Sequence, residues 1–169
     1  MILRLVRHGE TDWASQGRYT GVTDVGLNVT GVAQAESLGV IADQDYTSIW
    51  CSDLTRCTET ARLMGVDATP TAELREFDFG RLEGLRWDDL DQASQDGLLR
   101  FDGFAAPGGE RVSDFAARID GFVDRLGPGH HLVIGHGGVV RHLLRRTGAD
   151  ARVEPGSWRD VELGPPGSG

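Results

Sequence analysis

The residues best able to do chemistry follow short apolar runs. Ile2 to Val6 ends in Arg7-His8-Gly9, and Val133-Ile134-Gly135 ends in His136-Gly137-Gly138. A third β-prone run, Ser48-Ile49-Trp50-Cys51-Ser52, is followed closely by Arg56. Between them lies Leu74-Arg75-Glu76-Phe77-Asp78-Phe79-Gly80, a carboxylate followed by aromatic residues. Two histidines and two arginines at one end of a sheet make a site for a dianion. Guanidinium groups present forked donors that match phosphate oxygens. Helix N-termini after Ser52 and Gly137 would add backbone N–H groups and dipole. A neutral imidazole is a good nucleophile toward phosphorus. A carboxyl such as Glu76, in partly apolar surroundings, can hold a raised pKa and protonate a leaving oxygen. Taken singly, none of these residues demands a site. A His-Gly pair after a strand also makes an ordinary turn. Arg56 has Asp53 and Glu59 as helix-face partners, and Glu76 alone reads as a surface carboxylate. The signal is their joint placement.

The elements that must position these residues are legible in outline. Ile2 to Val6, Ser48 to Ser52, His131 to Gly135 and Trp158 to Leu163 read as strands. Helices are expected from Thr30, as N-cap, to Leu38, from Asp53 to Met64, from Arg111 to Leu126 and from Val139 to Arg146. Val112, Phe115, Ile119, Phe122 and Leu126 form a clear helical stripe. Arg86 to Leu99 suggests one or two short helices, and Gln95 to Phe104 gives no regular pattern. Strands alternating with helices, with apolar runs short and continuous, predict an α/β domain whose mostly parallel sheet is covered on both faces. Ligands of such folds gather beyond the carboxyl ends of the strands, where Arg7 and His8 fall.

Composition narrows the function classes. The chain has 169 residues and a formal net charge of −9, which argues against a nucleic-acid partner. No apolar run approaches a membrane span, and no signal-peptide pattern opens the chain. Cys51 and Cys57 read as reduced thiols of a cytoplasmic protein. His130, His131, His136 and His142 cluster in sequence, yet only His136 stands at a strand exit. A Gly-x-Ser-x-Gly elbow and a phosphate-loop fingerprint are both absent.

The ordered set of motifs resembles the histidine phosphatase, or phosphoglycerate-mutase-like, superfamily. It comprises Arg7-His8-Gly9-Glu10-Thr11, Gly17 to Asp24, Leu27 to Gly31, Ser52 to Ala61, Leu74-Arg75-Glu76 through Gly80, Glu83-Gly84, and Gly135-His136-Gly137. The resemblance implies a three-layer α/β/α sandwich over residues 1–163; the low-complexity composition of 164–169 reads as a flexible tail. It implies that His8 becomes phosphorylated and that Arg7, Arg56, His136 and Gly137 bind phosphate. Glu76 would be proton donor and then base, and Thr20 and Gly21 would contact substrate. No metal or organic cofactor is implied.

The chain also departs from the pattern. Many relatives carry Asn where this chain has Ala14, and Ser15 or Gln16 is left as a candidate substitute. The segment Phe101 to Glu110 is short where mutases carry a longer insertion with paired arginines, and the C-terminal part ends early. Both features favour water access. The expected activity is therefore hydrolysis of a small phosphomonoester, within a range that takes in α-ribazole 5′-phosphate and sugar or glycerate phosphates. The phosphatase branch of the family includes α-ribazole phosphatases. The alternatives are a cofactor-dependent phosphoglycerate mutase and a non-catalytic phospholigand sensor. The expected partner is a small phosphorylated metabolite, with no nucleic acid and no membrane; homodimerisation is left open. Trp13, Tyr19, Phe77, Phe79 and Trp87 are candidates for packing an apolar leaving group, or else for the core.

Overall fold

The computed structural model describes residues 1–164, so the expected flexible tail lies outside the described residues apart from Gly164. The strands are β1 (Ile2–Arg7), β2 (Ser48–Ser52), β3 (Thr69–Thr71), β4 (His130–Gly135) and β5 (Trp158–Glu162). The helices are α1 (Asp12–Ser15), α2 (Val29–Ser37), α3 (Thr55–Met64), α4 (Gln92–Arg100), α5 (Val112–Asp124) and α6 (Gly137–Arg145). The sheet order is β3-β2-β4-β1-β5, parallel except for β5, which runs antiparallel to β1. Arg7 pairs with Gly135 and Cys51 with Ile134, so the chemistry-bearing ends of β1, β4 and β2 emerge side by side.

Alternation along β1 builds the layers. Leu3 and Leu5 face α5 and α6, packing with Phe115, Ile119, Val140 and Leu143. Val6 faces α2 and α3, with Leu38, Cys57, Ala61 and Met64. The result is the α/β/α sandwich. Arg4 interrupts the apolar run without cost to it. Its guanidinium donates to both carboxylate oxygens of its cross-strand partner Asp160, at 2.8 and 2.7 Å, and lies over the Trp158 ring. Cys51 and Cys57 are free and buried. No helix among the described residues is long and apolar enough to cross a membrane.

Helix starts differ from the sequence expectation, decided by a local cap in one case and by side chains distant in sequence in another. Asn28, not Thr30, caps α2, its side chain accepting from the Gly31 N–H at 2.8 Å. The third helix begins at Thr55 rather than Asp53. Asp53 is drawn away by Arg75 at 2.6 Å, while Asp24 from the preceding loop accepts from the Thr55 N–H and hydroxyl. Helix α6 begins directly after His136, two residues before Val139. Helix α4 lies where Arg86 to Leu99 suggested a short helix and runs on into the stretch that gave no pattern, ending with Phe101 in the left-handed region at φ 48°.

Candidate active site

His8 leaves β1 with its backbone N–H on the Gly135 carbonyl at 3.0 Å. Its ring Nδ1 lies 2.6 Å from the Gly9 carbonyl oxygen, which can only accept, so Nδ1 carries the proton and Nε2 keeps its lone pair. The turn requires glycine: a β-carbon at Gly9 would collide with the Gly31 backbone, on which this loop rests. Burial is the main force pushing the His8 pKa down, to about 3. The Arg56 and Arg7 charges add to it, and the Gly9 carbonyl opposes it. The imidazole is therefore neutral across the physiological range. The His136 ring lies edge-on to it, with centroids 5.1 Å apart. His136 is fully buried and also held well below the usual histidine value, first by burial and then by Arg56.

Arg56 lies buried behind the two imidazoles rather than in solvent. Its Nε donates to His136 Nδ1 at 3.2 Å, and its remaining nitrogens donate to the carbonyls of Thr23 at 3.1 Å and Gly21 at 2.6 Å. Glu83 holds that carbonyl-bearing loop, accepting from the N–H groups of Val22 and Thr23 at 2.9 and 2.8 Å. Arg7 donates to the Val153 carbonyl at 2.8 Å, and its buried Nε has no partner among the described residues. Burial lowers the pKa of both arginines, but a guanidinium remains charged at any ordinary pH.

Glu76 is only 8% exposed. Its Oε1 accepts the Phe77 N–H and its Oε2 the Gly138 N–H, both at 2.9 Å. Burial raises its pKa above the ordinary carboxylate range, outweighing those two N–H groups and the Arg56 and Arg7 charges. The site thus pairs a neutral imidazole with a carboxyl biased toward its protonated form, between guanidinium groups. That arrangement can bind a dianion and move one proton.

A model of the histidine phosphatase superfamily (branch 1) matches residues 3–166. This chain belongs to that superfamily. It is similar to the acid phosphatase of Mycobacterium tuberculosis, at 34% identity over 85% of this chain and 74% of that protein. It is similar also to the adenosylcobalamin/alpha-ribazole phosphatase of Escherichia coli, at 31% identity over 96% of this chain and 90% of that one. Among solved structures, phosphoglycerate mutase from Thermus thermophilus superposes with a TM-score of 0.91, at 44% identity over 98% of this chain and 95% of that chain.

In this member of the superfamily the site opens into a cavity of about 710 Å³. Arg7, His8, Thr20, Glu76 and Gly137 line it. Arg56 and His136 stand behind that wall, reaching it through contacts with neighbours rather than by exposed surface. Gly21 is off the wall, and its carbonyl serves Arg56. Of the aromatic candidates, Tyr19, Phe77, Phe79 and Trp87 line the cavity and Trp13 does not. Ala14 lines it too, but the candidate substitutes turn away: Ser15 donates to the Asp12 carbonyl and Gln16 accepts from Arg18. The remaining histidines of the sequence cluster are dispersed, His131 onto Ser48 and the Gly127 carbonyl, His142 onto Asp120 at 2.9 Å.

Sequence reasoning missed Leu98, Leu99 and Phe101, which add to the apolar lining, and Arg141, Arg145 and Arg152, which line the same cavity. The arginines had a partial signal. Val139, Val140, Leu143 and Leu144 mark the buried face of α6, which turns Arg141 and Arg145 outward. Only the fold shows that outward here means into the cavity mouth.

Proposed function

We propose that this histidine phosphatase hydrolyses a small-molecule phosphomonoester through a phosphohistidine on His8. The observation that carries this reading is the short hydrogen bond from His8 Nδ1 to the Gly9 carbonyl, which leaves Nε2 unprotonated on the cavity wall. Nε2 attacks phosphorus, the P–O bond to the alcohol breaks, and the Glu76 carboxyl gives its proton to the departing oxygen. Glu76, now a carboxylate, then takes a proton from water. The resulting hydroxide attacks phosphorus, the P–N bond breaks, and inorganic phosphate leaves. Arg7 and Arg56 offset the charge on the transferred group, the work that Mg²⁺ does in many phosphoryl-transfer enzymes, so no metal is needed. Two free, buried thiols support a reducing, cytoplasmic setting.

Small phosphomonoesters such as α-ribazole 5′-phosphate and sugar or glycerate phosphates make up the starting substrate range for testing this reading. The similarity to a structure named phosphoglycerate mutase supports isomerisation as the second reading. A mutase must shield its phosphoenzyme from water and return the group to a bound partner. A wide cavity lined at this point by the small side chain of Ala14 favours water instead.

The test is an alkaline quench during turnover of a radiolabelled phosphomonoester. Acid-labile label on the protein, absent from His8→Ala together with activity, is the expected result. A drop of about 10⁴-fold or more is typical for loss of a nucleophile. Normal turnover by His8→Ala would overturn the reading. Isomer formation without phosphate release from 3-phosphoglycerate would favour the mutase.

A further inference from the structure

We propose that the cavity holds a second anion subsite, formed by Arg152 with the Arg141–Arg145 pair. The substrate it selects is a phosphomonoester whose apolar leaving group ends in a second anionic group. This inference rests on the phosphatase reading for the position of the first phosphate.

The charge balance of the cavity is uneven. Arg7 and Arg56 already match a phosphate dianion, and Glu76 is the only carboxylate on the lining among the described residues. Arg152 also lines the cavity, yet it makes no hydrogen bond or ion pair with any other described residue. The backbone next to it is nevertheless anchored. The next residue, Val153, is buried and its carbonyl accepts from Arg7. Further along the same loop, the Gly156 N–H donates to the carbonyls of Arg7 and His8 at 3.1 and 3.0 Å. The Arg152 charge is felt at both Arg7 and Tyr19. Arg141 and Arg145 share one carboxylate, that of Asp150, at 2.6 and 2.9 Å, so that trio keeps a positive charge in excess. A chain of net charge −9 thus places an arginine wall on its cavity, well beyond what one phosphate requires.

The cavity also has an apolar lining, to which Tyr19, Phe79, Leu98, Leu99 and Phe101 contribute. A cavity of about 710 Å³ is the size of sites for whole small molecules. A compact polar leaving group would leave this lining bare, and a neutral apolar one would leave the arginines unanswered. An apolar body carrying a carboxylate or phosphate satisfies both. The sequence lacks the arginine-bearing insertion of mutases, and here α6 and the loop after it supply cations from another direction.

The test uses phosphonates, whose P–C bond resists hydrolysis, titrated calorimetrically onto the wild-type protein. The probes are 4-(2-carboxyethyl)benzylphosphonate, its primary amide, and the analogue with a second phosphonate in place of the carboxylate. The charged probes are expected to bind about ten-fold tighter than the amide at low salt. That margin should shrink with added salt and fall to about two-fold or less in Arg152→Gln and in Arg141→Gln. The tighter charged probe identifies the anion. Equal affinity of all probes for the wild type would overturn the subsite, and a margin surviving in both variants would overturn its assignment to these arginines. Hydrolysis of the matching benzyl phosphates is measured separately. Failure there sinks the phosphatase reading, while the binding ratios still decide the subsite.

Discussion

Gly138 donates its backbone N–H to Oε2 of Glu76 at 2.9 Å, and a β-carbon at Gly138 would collide with Oε1 of the same carboxyl group. The first turn of α6 therefore both holds Glu76 and leaves room for it only because the residue is glycine. Gly138→Ala should displace the carboxyl. A misplacement on the order of 1 Å costs roughly 10²-fold in rate. The expected outcome is a loss of kcat for alkyl phosphates of that order, with a folded protein by circular dichroism. Unchanged kcat would mean that Glu76 acts from another position.

Glu76→Gln separates acid catalysis from charge. Alkyl phosphates need a proton on the departing oxygen, whereas p-nitrophenyl phosphate does not. The variant should lose about 10²-fold or more on the alkyl ester and far less on the aryl one. Equal losses on both would remove Glu76 from the role of acid.

Stability should fall in acid because of the buried imidazoles. His8 keeps its folded pKa near 3, and the unfolded chain takes up the same proton near pH 6.5. Between those values the unfolded state binds more protons, so stability drops as pH falls. Glu76 works in the opposite sense: its raised pKa keeps a proton in the folded state that the unfolded chain has released, so its contribution weakens as pH rises. Thermal melts of His8→Asn should therefore lose less between pH 7 and pH 4 than those of the wild type. Parallel curves would contradict a neutral, buried His8.

Ala14 lines the cavity, and the side chains of Ser15 and Gln16 are engaged elsewhere. Ala14→Asn should place an amide donor on the wall and tighten inorganic phosphate, measured as a competitive inhibitor, by about three- to ten-fold. Weaker inhibition would show that this part of the cavity is used by substrate rather than by phosphate oxygens.

Arginines supply the positive charge in the proposed reaction, so prolonged EDTA treatment should leave the rate of phosphate release unchanged. A loss restored by Zn²⁺ or Mg²⁺ would place a metal in the mechanism.

The strand ends, the glycines beside them and the motif order were legible because each is a local property. An apolar run that stops at Arg7-His8-Gly9 or His136-Gly137 says where a buried strand meets its loop. The parallel α/β class followed from the same alternation. Arg56 was not legible alone. As a helix residue it has ordinary partners at Asp53 and Glu59, yet Asp53 is taken by Arg75 and Glu59 by the Leu27 N–H at 3.0 Å. A short helix within Arg86–Leu99 was legible, but its end at Arg100 fell in the stretch without a regular pattern, where Leu98, Leu99 and Phe101 line the cavity rather than form a simple core-facing stripe.

The sequence by itself determined which residues end the strands and which types of group are available to bind and transfer phosphate. Tertiary structure alone decided that Arg56 and His136 stand behind the wall while Thr20 lines it, and that Arg141, Arg145 and Arg152 share one cavity with a set of apolar side chains. The physical reason is the crossover order of the sheet. It sets β1 beside β4 and docks the Val153–Gly156 loop onto Arg7 and His8, so burial and charge at the site come from residues far apart in the chain.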